Sequence, residues 1–152
     1  MKKNLFALLF TVVTTFSFAQ NFTDLNDYPL SNVEDYKNAE TKVVECATYL
    51  FSTPVKKDDL NRLSATQFIL KWMEGSDYTF NIDSKMTELT DGNTDLFGMY
   101  LAGMSKVVIE SPNKKLNDDE IRSEVTNMLV AYCKDASNNV KATKKLKQLM
   151  RE

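Results

Sequence analysis

Apolar residues in this chain recur at three- and four-residue steps in one segment after another, and that spacing constrains the fold more than any other feature. Tyr36, Ala39, Val43, Cys46, Ala47 and Leu50 form one such stripe. Ala65, Phe68, Ile69, Trp72 and Met73 form a second, and Ile121, Val125, Met128, Leu129, Tyr132 and Cys133 a third. A stripe of period 3.6 is hidden from water by packing helices side by side. With only four glycines and three prolines, the chain also lacks the punctuation of turn-rich β structure. The expected fold is all-α: a single compact bundle of five to six helices over residues 32–152, preceded by a signal peptide (1–19) and an irregular arm (20–31).

Helix ends are set by local chemistry. Ser31 and Glu34 have capping-box spacing and start the first helix, which Pro54 stops after about Ser52. Asp58 or Asp59 opens the second, and Gly75 suits its left-handed C-terminal cap. Leu60, Leu63 and Leu70 widen the apolar arc of that helix, which predicts a central, buried position. Ser76 to Ile82 reads as extended chain packed on the bundle, and Asp83 caps a short third helix ending near Gly92. The fourth helix, from Thr94 or Asp95 to Glu110, carries Lys106 as its one charge between Leu96 and Ile109, so it is expected in the core. Gly98, Ala102 and Ser105 keep one of its faces thin enough for a neighbouring helix to approach. Asn117 with Glu120, and Leu116 with Ile121, mark the start of the fifth. After a break around Ser137 to Asn139, Val140 to Met150 forms the last.

The chain begins with Lys2-Lys3, an uncharged apolar run from Leu5 to Phe16, and small residues at Ser17 and Ala19. This is the order of a secretory signal, with cleavage expected near Ala19-Gln20 and a periplasmic or secreted product. The run is too short to anchor the mature chain in a membrane, so no stable insertion is expected. Removing Lys2 and Lys3 leaves 17 basic against 21 acidic residues, a net charge of −4 that argues against a nucleic-acid partner. In an oxidising compartment Cys46 and Cys133 are expected to pair; the alternative is two buried thiols acting as small apolar residues.

There is no histidine, which removes the commonest general base and the commonest metal ligand. A Ser-His-Asp or Cys-His arrangement is therefore impossible, and no C-x-x-C or phosphate-cradling glycine loop is present. Asp91, Asn93 and Asp95 have the spacing that opens a calcium loop, but Leu96 stands where that loop needs glycine, and Ala102 where it needs glutamate. Asp95 reads instead as the cap of the fourth helix. No catalytic residue, metal or cofactor is expected. The last helix carries Lys141, Lys144, Lys145, Lys147 and Arg151 beside Ala142, Leu146, Leu149 and Met150. Such a helix suits an anionic surface or an acidic partner, or else a terminal bundle helix with a solvated cationic face. From Asn138 onward the charge is +4, against −8 for the rest of the mature chain, which suits packing of the tail on an acidic body.

The stretch from Phe68 to Phe80, with Leu50-Phe51-Ser52-Thr53-Pro54 upstream and Ala131-Tyr132-Cys133 downstream, resembles a family of small secreted helical proteins of unknown function in Gram-negative bacteria. The resemblance implies export and a helical fold, and no activity. Two classes of function follow from the residues. The first is a non-enzymatic envelope protein that binds another protein or envelope component. The second is a periplasmic carrier of a small apolar ligand, held between helices by Phe68, Ile69, Trp72, Met73, Met99, Tyr100 and Met104, residues that a filled core predicts equally. A histidine-free hydrolase working through carboxylates is a third and weaker expectation.

Overall fold

The computed structural model describes residues 21–113 and 115–151; the segment expected to be a signal peptide, with its expected cleavage site, lies outside the described residues. The described residues form six α-helices and two short 3-10 turns, with no strand. The helices are α1 (Val33–Ser52), α2 (Leu60–Gly75), α3 (Ser84–Thr90), α4 (Thr94–Glu110), α5 (Asp118–Lys134) and α6 (Lys144–Leu149). None of them is long and apolar enough to cross a membrane.

The apolar stripes fold as their period requires, and α4 lies at the centre. It packs on α1 and α2 on one side and on α5 and α3 on the other. Two core clusters result. Val43, Cys46, Leu50, Phe68, Ile69 and Trp72 lead the α1–α2 side, while Met99, Leu101, Val125, Leu129 and Leu146 lead the α4–α5 side. Close approach to α4 depends on its small residues. A Cβ on Gly98 would lie 3.0 Å from Thr66 of α2, and one on Gly103 would lie 3.0 Å from Val125 of α5.

Several ends differ from expectation. The α1 capping box is built by Asn32 and Asp35, not by Ser31 and Glu34: the Asp35 N–H donates to Asn32 Oδ1 at 3.1 Å, and the Asn32 N–H donates to Asp35 Oδ2 at 3.2 Å. Asparagine and aspartate do this work as well as serine and glutamate, and the adjacent register won. Asn93, not Asp95, caps α4, its side chain accepting from the Leu96 N–H. Gly75 is not a left-handed cap; it is the last helical residue, and Ser76 takes the cap in extended conformation. Its missing side chain makes room for the Tyr36 ring, since a Cβ there would fall 2.2 Å from Tyr36 Cζ. The left-handed turn comes later, at Asp91 (φ 42°) and Gly92 (φ 72°), and reverses the chain between α3 and α4. Asn117 and Glu120 form the expected box on α5.

The arm is less irregular than its polar composition suggests. A 3-10 turn over Thr23–Asp27 buries Phe22 and Leu25 against α2, and the Phe22 ring lies 5.0 Å from that of Tyr49. The connector is extended as expected. Tyr78 packs tilted and Phe80 edge-on against Trp72, with ring centroids 5.6 and 6.1 Å away, although Ile82 remains exposed. The larger departure concerns α2. Its second row, Leu60, Leu63 and Leu70, faces water, because α1, α4 and the arm cover only the Phe68–Trp72 side. The helix is therefore not buried all round.

A cationic face on the last helix

The last helix is shorter than its apolar pattern suggests. The Thr143 side chain caps it, accepting from the Leu146 N–H at 3.2 Å, so Val140 to Ala142 stay outside. The same hydroxyl donates to the Leu89 carbonyl at 3.0 Å and ties the start of α6 to α3. Leu146 is completely buried, and Ala142, Leu149 and Met150 pack around the same cluster. With that side committed to the core, helical geometry turns Lys144, Lys147 and Arg151 outward. Together with Lys141 they line a surface depression of about 530 Å³, whose far wall is the Asp91–Asn93 turn. Asn93 Nδ2 donates to the Lys141 carbonyl at 3.3 Å and holds that strand of chain in place.

The tail does not pack its charges against the acidic body. Some cations elsewhere are paired: Lys37 with Glu40, Lys42 with Glu45, Lys85 with Asp119, Lys106 with Glu110, and Arg122 with both Asp83 and Asp119. Among the described residues, Lys141, Lys144, Lys145, Lys147 and Arg151 form no ion pair. Apolar contacts and the Thr143 hydroxyl hold α6, and its charges are left to solvent. Lys145 faces a second depression, shared with Lys85, Glu88 and Arg122.

The seven side chains expected either to line an apolar pocket or to fill the core pack within the two core clusters. Phe68, Ile69 and Trp72 belong to the α1–α2 cluster; Met99, Tyr100 and Met104 belong to the α4–α5 cluster; Met73 packs against both. Trp72 is completely buried, and its indole N–H donates to the Tyr36 carbonyl at 2.8 Å, so its polar atom is satisfied by packing alone.

The expected disulfide is not formed. Cys46 and Cys133 are free buried thiols in different clusters, Cys46 on α1 and Cys133 on α5, on opposite sides of α4. Burial pushes the Cys46 thiol up to about 12 and raises that of Cys133 as well. Both thiols therefore stay protonated and unreactive at neutral pH.

Asp91, Asn93 and Asp95 serve as helix-end residues: Asp91 is the left-handed cap of α3, Asn93 caps α4, and Asp95 sits in its first turn. Among the described residues no group of three or more Asp, Glu, Cys or His side chains is placed to hold a metal ion. Arg62 is a residue the sequence pattern did not single out. It is buried in the wall of a groove between the first turns of α2 and α4. The available signal was a cation flanked by Leu60 and Leu63 in the wide arc of α2. Compared with protein-family models, curated proteins and solved structures, the chain matches none.

Proposed function

We propose that the mature chain is a non-catalytic binding protein of the cell envelope, and that it holds an acidic protein partner on the outward face of α6. The clustering of five cations in and beside α6, none with an ion pair among the described residues and four of them around one depression, carries this reading. A cation already neutralised within its own molecule offers a partner little; one left in water can exchange its hydration for a carboxylate. The leader and the resemblance to secreted helical proteins support the envelope as the place of action. A protein surface suits the site better than a lipid one, because the apolar residues that would anchor an interfacial helix are committed to the core.

The test is binding of poly-L-glutamate to the folded mature chain over a series of salt concentrations, beside vesicles rich in phosphatidylglycerol. Affinity for the polyacid should fall steeply as salt rises. Lys144→Glu combined with Lys147→Glu should reduce it by about tenfold or more, the equivalent of 1.4 kcal/mol. Binding that ignores the double reversal, or that is confined to vesicles, refutes the reading.

A further inference from the structure

A groove of about 480 Å³ opens on the other side of the α4 N-terminus, between the first turns of α2 and α4 and the end of α1. Leu60, Leu63 and Met99 give it apolar walls, and the first two are 64% and 53% exposed. Large apolar side chains left in water beside a concave surface are a usual mark of a binding site. The buried charge in the groove wall is Arg62, which is only 7% exposed. Its Nη1 donates to the carbonyls of Leu50 (3.1 Å) and Thr53 (3.0 Å) and to the Thr53 hydroxyl (3.2 Å). Those carbonyls belong to the end of α1, so Arg62 caps that helix, and the negative end of the α1 dipole offsets part of its charge.

The offset is incomplete. No carboxylate among the described residues forms an ion pair with Arg62. The Tyr132 hydroxyl, which itself donates to the Thr53 carbonyl at 2.7 Å, lies beside it, and the Asp59 carboxylate accepts from the Arg62 backbone N–H at 3.1 Å without pairing with the guanidinium. A buried guanidinium held by neutral acceptors, with apolar walls beside it, lacks an anion. The rim limits what that anion can be. Asp58, Asp59 and Asp95 stand around the opening, with Lys56 as the accompanying cation. A dianion such as a phosphate monoester would meet these carboxylates twice over, whereas a single carboxylate matches the planar fork of arginine at half that cost.

We propose that the groove binds a monocarboxylate bearing an apolar chain, its carboxylate toward Arg62 and its chain along Leu60, Leu63 and Met99. This site shares no residue with the cationic face of α6 and stands or falls separately from it.

Calorimetric titration of the folded mature chain with decanoate, kept below its micellar concentration, tests the assignment beside uncharged decanol. Decanoate should bind at least about tenfold more tightly than decanol, the difference a charge-assisted fork contributes. Amide resonances of Leu63, Thr66 and Gly98 should shift during the titration. Leu63→Asp sits on an exposed position, keeps the fold, and should weaken decanoate about tenfold or more. Arg62→Lys should do the same where it folds, because lysine keeps the charge and loses the fork. Lys144→Glu with Lys147→Glu should leave decanoate binding intact. Equal affinities for decanoate and decanol, wild-type binding by Leu63→Asp, or loss of binding in the α6 double variant would each overturn the proposal.

Discussion

Burial decides how individual side chains behave. The Cys46 and Cys133 thiols lie in separate clusters and ionise above the ordinary thiol range. In the native protein neither should react with iodoacetamide at pH 8, and in denaturant both should label without reductant. Label taken up only after reduction would show a bridge. The same shift sets a pH dependence. The unfolded Cys46 thiol loses its proton near 9.0 and the folded one near about 12, so the unfolded chain binds fewer protons between those values. Stability should therefore fall as pH rises through that window, and Cys46→Ala should flatten the slope. Gly75 tests packing at one atom. At the last helical residue alanine gains well under the ~1 kcal/mol of an interior position, while its methyl is driven into the Tyr36 ring at a cost of about 1–3 kcal/mol. The denaturation midpoint should drop, and an unchanged midpoint would contradict the contact. The sequence could not reveal either arrangement. The two cysteines sit on equally good stripes that happen to face different sides of α4, and a glycine near a helix end reads the same whether it turns the chain or admits a ring.

Elements were easier to anticipate than their ends. The long apolar stripes of α1, α2 and α5 identify those helices, and Pro54 and the Asn117–Glu120 box mark two boundaries where they occur. The start of α1 slipped by one residue because Ser31 and Asn32 are both competent caps. Asn32→Ala should accordingly cost about 1 kcal/mol in chemical denaturation, and Ser31→Ala about a quarter of that or less. A larger cost at Ser31 than at Asn32 would contradict the Asn32 cap. The α6 segment was overextended because Val140 and Ala142 continue its apolar pattern, while the Thr143 hydroxyl, held by Leu89, begins the helix later. The α2 leucines failed as burial markers for a different reason. Periodicity shows that two apolar rows exist and says nothing about how many neighbours are available to cover them. That uncovered row and Arg62 together make the groove, so the site appeared where the pattern and the packing disagree.

At the scale of the whole molecule, the chain is an acidic helical body with a basic tail held on by apolar contacts. Charge counting had suggested that tail and body neutralise one another. The structure instead leaves the α6 cations without ion pairs among the described residues, and the proposed acidic partner depends on that separation. Stability measured by denaturant for Lys144→Glu combined with Lys147→Glu tests it directly. Since neither lysine is paired, and since a carboxylate favoured by the dipole at Lys144 in the first turn is offset by the cation lost at Lys147 in the last turn, stability should stay within about 0.5 kcal/mol of wild type. A loss of more than about 1 kcal/mol would show that these charges already hold the tail to the body, leaving no free cationic face for a partner.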